Sequence, residues 1–315
     1  MNRILVTGAT GQIGSELVPA LRKKYGPENV IAAWHKTQPD RELLAGGPFC
    51  VLDARDSVAV EKIITEYRID AIYHLAALLS ASAEKDPQLA WDVNMNGLRN
   101  MLEAARKFTC SLFFPSSIGA FGPSTPADNT PQDTIQRPTT IYGITKVTGE
   151  LLCDYYFRRF HVDARGLRFP GLISYKTIPK GGTTDYAVEI FYAAAKHKKY
   201  ECFLKEGTRL DMMYMPDAIR AAVELMEADP ARLMHRNAFN VAAMSFSPEE
   251  LYHAIKKHIP DFTMTFQVDP ARQAIADSWP HRMDDSAARM EWAWRPEYDL
   301  AAMTKEMLEK LSHLR

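Results

Sequence analysis

The sequence predicts an α/β fold in which a doubly wound parallel sheet precedes a smaller, mostly helical lobe. Three observations carry this prediction. Short apolar runs alternate with longer stretches of helical apolar spacing through the first half of the chain. A glycine-rich turn joins the first run to the first helix. Past residue 170 the alternation loosens into helices separated by short extended pieces.

Taken in order, the runs at 4–6, 30–33, 49–52, 71–75 and 111–114 are apolar apart from His74 and Ser111. Strands buried on both faces of a parallel sheet have this pattern. Between them, 12–25, 57–67 and 90–108 carry helical apolar spacing, and strand-helix-strand repetition predicts a parallel doubly wound sheet. A helix bearing Tyr142 and Lys146 leads to a sixth strand at 164–168. Helices then follow at 186–196, 216–228, 248–258 and 300–314, with extended pieces near 237–241 and 264–268. The expected organisation is a first domain over 1–170, which also receives later segments, and a smaller lobe over 171–315 sharing its cleft.

Composition narrows the function classes. The 315 residues are 46% hydrophobic and 24% charged, which excludes a disordered tail. The longest apolar stretches, such as 71–79, are too short to span a bilayer. Lysine plus arginine (38) nearly balance aspartate plus glutamate (39), so the net charge of −1 offers no general attraction to nucleic acid or anionic membrane. Cys50, Cys110, Cys153 and Cys202 lie far apart, without the paired spacing of a metal or redox site, and are expected to be reduced core thiols. No metal ligand set is expected. The start of the chain passes directly into the first strand without a signal-peptide pattern, giving a cytoplasmic expectation.

The strongest local motif is Val6-Thr7-Gly8-Ala9-Thr10-Gly11-Gln12-Ile13-Gly14, between the first strand and the first helix. Glycine at 8 permits the tight turn, glycine at 11 lets backbone approach a pyrophosphate, and glycine at 14 lets the helix pack closely on the sheet. The helix N-terminus then faces the phosphates. These features make the first domain a Rossmann-type dinucleotide site.

The glycine spacing resembles the extended short-chain dehydrogenase/reductase superfamily. That resemblance assigns Gly8, Thr10, Gly11, Gln12 and Ile13 to the cofactor phosphates and Asp53 to the adenine. It also places Leu75, Ala76 and Ala77, which follow His74, together with Asn94 and Phe169, along the cofactor. His74 taken alone is a satisfied core histidine. One position departs from the pattern: Trp34 stands where an NAD-dependent member carries an acid for the ribose hydroxyls. NAD is the expected cofactor, and NADP stays open because Lys36 or His35 offers a partner for a 2′-phosphate.

Tyr142 and Lys146 are four residues apart and therefore share a helical face. A tyrosine with a pKa of about 10 is a poor base at neutral pH, but a neighbouring cation favours tyrosinate. Lys146 is also expected to hold the nicotinamide ribose. Ser117, 25 residues before Tyr142 as the superfamily usually has it, is the expected third member, orienting the substrate oxygen. Ser116 is assigned a structural role.

Within the superfamily, Phe169-Pro170-Gly171-Leu172-Ile173-Ser174 and Gly181-Gly182-Thr183-Thr184-Asp185-Tyr186-Ala187 resemble the epimerase-like L-threonine 3-dehydrogenases. So do Leu78-Leu79-Ser80-Ala81, Met212-Met213-Tyr214-Met215-Pro216-Asp217 and Ala274-Ile275-Ala276-Asp277-Ser278-Trp279-Pro280. The resemblance implies NAD-dependent oxidation of L-threonine to 2-amino-3-ketobutyrate, a step of threonine catabolism, with Ser80, Ser117, Tyr142, Thr183, Thr184 and Trp279 contacting the amino acid. Amides and hydroxyls around Thr183 and Thr184, ahead of a predicted helix, suit a small carboxylate. Leu210 stands where nucleotide-sugar enzymes commonly carry a diphosphate-gripping arginine, and Arg209 faces the other way if this segment is a strand. A nucleotide-sugar epimerase or dehydratase is the alternative, and a non-catalytic dinucleotide sensor a second. The superfamily further implies a homodimer formed through a four-helix bundle of the helices around 90–108 and 141–160.

Overall fold

The structure, a computed structural model, describes residues 1–178 and 182–314. Gly181, part of one quoted motif, lies outside the described residues. The chain forms two compact units. The first comprises Met1–Ala120, Thr139–Arg168 and Ile219–Phe239; the second comprises Phe121–Pro138, Phe169–Ala218 and Asn240–Arg315.

All six expected strands of the doubly wound sheet form: β1 (Ile4–Thr7), β2 (Val30–Trp34), β3 (Phe49–Val51), β4 (Ala71–His74), β5 (Ser111–Ser117) and β6 (Ala164–Phe169). In the second half follow β7 (Gly171–Ile173), β8 (Lys199–Cys202), β9 (Leu210–Tyr214), β10 (Phe239–Asn240), β11 (Met244–Phe246) and β12 (Thr263–Phe266). The main sheet has seven strands in the order β10-β6-β5-β4-β1-β2-β3. Leu5 of β1 pairs in parallel with Ile31 on one side and Ile72 on the other. Strand order therefore reverses beside β1, which opens a crevice at the carboxyl ends of β1 and β4.

Leu5, Ile31, Ile72 and Leu112 from the strands pack with Val60, Ile64, Leu98, Met101 and Leu102 from helices Ser57–Tyr67 and Gly97–Phe108. Burying such side chains contributes about 1.5–3 kcal/mol each, which explains why these runs are apolar. The expected 90–108 helix is interrupted: Pro87–Trp91 passes through a π-helical turn, Asp92–Asn96, before Gly97–Phe108. Apolar spacing alone does not reveal such a turn, although these turns favour functional sites.

The long helix Ile141–Phe160 begins where Thr140 Oγ1 accepts from Gly143 N at 3.1 Å. His161, in the left-handed region at φ 58°, ends it. In the second unit, β9 lies between β11 and β7, antiparallel to the former and parallel to the latter, and β12 pairs in parallel with β8. These small sheets accompany the helices Tyr186–His197, Pro248–Lys256 and Leu300–Lys310. Buried Asp211 accepts from Met283 N at 2.8 Å, and Asp217 accepts from Glu297 N at 3.0 Å, tying distant segments together. All four cysteines are free; Cys110, Cys153 and Cys202 are buried and Cys50 is partly exposed.

Candidate active site

The glycine turn follows directly from β1. Gly8 has φ +68°, and a Cβ there would lie 2.8 Å from the Ala76 amide. A Cβ on Gly14 would lie 2.4 Å from the Gly8 carbonyl oxygen. Both positions thus exclude any side chain, and the turn is pressed against the exit of β4. Gly11 N closes it by donating to Gly8 O at 2.9 Å. No side chain caps the helix Gly14–Tyr25, and its first turn is closed by backbone, Ser15 N donating to Gly11 O at 2.9 Å and Glu16 N to Ile13 O at 3.1 Å. Thr10, Gln12 and Ile13 line this turn, partly exposed. The cradle fits the pyrophosphate of a dinucleotide, with Gly8, Gly11 and the helix start as the residues to hold it.

Across the switch point, His74 ends β4, buried, with Nδ1 2.9 Å from Thr7 Oγ1. Burial, with a smaller contribution from Lys146, pushes its pKa down to about 3, so the ring is neutral. Thr7 Oγ1 also accepts from Ala76 N at 3.3 Å. Asn94, within the π-helical turn, is fully engaged: its Oδ1 accepts from Leu78 N at 2.8 Å, and its Nδ2 donates to Leu78 O and to Thr145 Oγ1, both at 3.1 Å. Thr145 in turn donates to the Tyr142 carbonyl at 2.8 Å. Asn94 therefore ties the segment after β4 to the helix carrying Tyr142. His74, Ala76, Ala77, Asn94, Phe114, Thr145 and Lys146 line a narrow crevice of about 10 Å³.

Ser117, Tyr142 and Lys146 come together at the end of β5. Ser117 hydrogen-bonds the Tyr142 phenol and accepts from Gly119 N at 3.1 Å. Lys146 is buried, with Nζ donating to Pro115 O at 2.6 Å and standing 5.4 Å from the centre of the Tyr142 ring. Desolvation lowers the lysine pKa to about 8. For the phenol, burial outweighs the Ser117 hydrogen bond and raises its pKa. The cation four residues on does not reverse that burial, which differs from the sequence expectation; the ammonium is turned to Pro115 O. Ser116 is structural: it donates to Glu150, which pairs with Arg168 at 2.8 Å beneath the site.

Asp53 is also engaged. Arg55 Nη2 reaches it at 2.7 Å while Arg55 Nη1 reaches Asp92 at 2.9 Å, and this pairing takes the Asp53 pKa down to about 2. Sequence reasoning missed Arg55, although an acid and an arginine two residues apart in a turn were a visible signal. It also missed Thr145 and the Glu150–Arg168 pair, whose partners are distant in sequence.

In the second unit, Thr183 is buried and Thr184 partly buried in the single turn Thr183–Asp185. Asp185 accepts from Gly182 N at 2.6 Å and so caps this turn. Trp279 is buried just past the helix Pro270–Ala276, its amide donating to Ala276 O at 3.1 Å. Leu210 is fully buried on β9, and Arg209 is committed to Ser245 O at 2.6 Å and to Glu250 at 2.5 Å. Phe169 is buried at the end of β6, and Ser80 opens the helix Ser80–Lys85, partly exposed. Among the described residues no three His, Cys, Asp or Glu side chains gather as metal ligands, and no helix is long and apolar enough to cross a membrane.

Sheet, glycine cradle and the Ser-Tyr-Lys cluster define an enzyme of the nicotinamide-dinucleotide class. The chain belongs to the NAD dependent epimerase/dehydratase family, whose model matches residues 4–242. An uncharacterized epimerase/dehydratase of Staphylococcus aureus is 54% identical over 99% of this chain and 97% of its own length. The solved L-threonine dehydrogenase of Clostridium difficile is 56% identical at a TM-score of 0.98, covering 99% of this chain and 98% of that one. A monomeric L-threonine 3-dehydrogenase from a metagenome is 50% identical at a TM-score of 0.94, covering 99% of each chain.

Proposed function

We propose that the protein oxidises the side-chain hydroxyl of L-threonine with NAD, giving 2-amino-3-ketobutyrate. The observation that carries this reading is the end-to-end match, at 56% identity and a TM-score of 0.98, to a solved L-threonine dehydrogenase. The Ser117, Tyr142 and Lys146 cluster supplies the chemistry such a reaction needs. Leu210, where a diphosphate-gripping arginine would stand, supports a small amino acid over a nucleotide sugar.

Tyr142 takes the hydroxyl proton of threonine through its phenolate. Ser117 holds the same oxygen by hydrogen bond, so the developing carbonyl stays aligned. Lys146, four residues along the same helix, holds the nicotinamide ribose. Bound nicotinamide supplies the acceptor for the hydride that leaves the alcohol carbon. Gly8, Thr10, Gly11, Gln12 and Ile13 hold the phosphates, with Asp53 at the adenine and Leu75, Ala76, Ala77, Asn94 and Phe169 along the cofactor. Thr183, Thr184, Ser80 and Trp279 bind the amino acid, with Trp279 excluding water. We further assign the working form to a cytoplasmic homodimer.

Initial rates of cofactor reduction test this reading. L-threonine is expected to support turnover, with L-serine and L-allo-threonine slower. Turnover of a UDP-sugar and none of threonine would replace it with the epimerase or dehydratase reading.

A further inference from the structure

We infer that the adenosine end of the cofactor site accepts a 2′-phosphate, so that the protein binds NADP as well as NAD, with Trp34, His35 and Lys36 setting that selectivity. The inference rests on the reading of the glycine turn as a dinucleotide cradle. In a doubly wound dinucleotide site, selectivity comes from the end of the second strand, where an acid accepts from the ribose hydroxyls and repels a phosphate. Here that strand end is well placed: Ala9 N of the glycine turn donates to Ala33 O at 3.0 Å, and Leu52 N donates to Trp34 O at 2.8 Å. The residue so positioned is Trp34.

Trp34 reverses the polarity of the position. A carboxylate only accepts, whereas an indole N–H only donates. Its Nε1 is buried and has no hydrogen-bond partner in the structure. An unsatisfied buried donor is costly, and a hydrogen-bond acceptor that reaches it relieves the cost. The two following residues, His35 and Lys36, are exposed and carry or can carry positive charge.

The remaining acids nearby do not restore the repulsion. Asp53 is paired with Arg55 at 2.7 Å and lies 3.6 Å from His35 Nε2. Asp92 takes the other arm of the same guanidinium at 2.9 Å. With Lys36 unpaired against either carboxylate in the ion pairs of this strand end, the balance there does not disfavour an added phosphate.

Direct titration of the full protein by calorimetry tests this, using NAD, NADP, AMP and 2′-phospho-AMP as separate ligands. NADP is expected to bind within about tenfold of NAD, and 2′-phospho-AMP at least as tightly as AMP. Replacing Trp34→Asp is expected to weaken NADP by about tenfold or more while leaving NAD unchanged or tighter. The double variant His35→Ala, Lys36→Ala, which leaves the strand intact, is expected to weaken NADP selectively. Native protein binding NADP more than about tenfold more weakly than NAD overturns the inference, as does NADP affinity untouched in the double variant. Binding is read without turnover, so failure of threonine oxidation leaves this result standing and is distinguished from it.

Discussion

At the scale of single residues, Tyr142 is under opposed demands: burial raises its pKa, and the Ser117 hydrogen bond lowers it by less. The phenol is therefore protonated at neutral pH, and the base form grows as pH rises. kcat/KM for threonine oxidation is expected to climb from neutral into alkaline solution in a pH–rate profile. Tyr142→Phe should cut kcat by roughly 10²–10⁴-fold, with cofactor affinity nearly unchanged in a binding titration. Retained turnover in that variant would remove Tyr142 from the chemistry.

His74 makes a separate, thermodynamic prediction. Its folded pKa, pushed down to about 3 by burial, lies below the unfolded value near 6.5. Above pH 6.5 the ring is neutral in both states and contributes no pH dependence. Below it the unfolded chain takes a proton that the native ring refuses, so stability is lost progressively towards pH 3, by up to about 1.4 kcal/mol per unit. His74→Asn should flatten that acid limb in urea unfolding curves measured between pH 7 and 4. Of the residues the sequence singled out, Gly8, Tyr142 and Lys146 were legible because turn geometry and helical spacing are local rules. The clamping bonds of Asn94 were not, since Leu78 and Thr145 lie 16 and 51 positions away.

At the scale of elements, the helix Ile141–Phe160 has an inverted pattern. Thr145, Lys146, Gly149 and Glu150 are buried, while Ile144, Leu151 and Tyr155 are exposed. The exposed three share one stripe, because separations of seven and four residues return to the same helical face. Apolar stripes left in solvent mark interaction surfaces, and this one supports our assignment of a dimer. Leu151→Glu with Tyr155→Glu should shift sedimentation from dimer to monomer while the circular dichroism of the fold is kept. A parent protein that sediments as a monomer would contradict the assignment. The helix itself was predictable from spacing. The π-helical turn that aims Asn94 was not, because one extra residue in a turn leaves no mark on composition.

At the scale of the whole molecule, the doubly wound sheet was readable because parallel strands covered by helices must be apolar on both faces. Of the small sheets of the second unit, β12 was legible as the extended piece near 264–268, whereas β7 and β11 were not, because they have three residues each and carry too little periodicity. The proposed substrate residues Thr183, Thr184 and Trp279 likewise came from resemblance, since threonines and tryptophans at such positions are ordinary packing residues. The central claim is that hydrogen leaves the side-chain carbon of threonine as hydride, and L-threonine deuterated at that carbon tests it most directly. The account predicts one deuterium in the reduced nicotinamide for each threonine consumed, with 2-amino-3-ketobutyrate as the product. Cofactor reduced without deuterium, or no threonine consumed by protein that binds the dinucleotide, would contradict it.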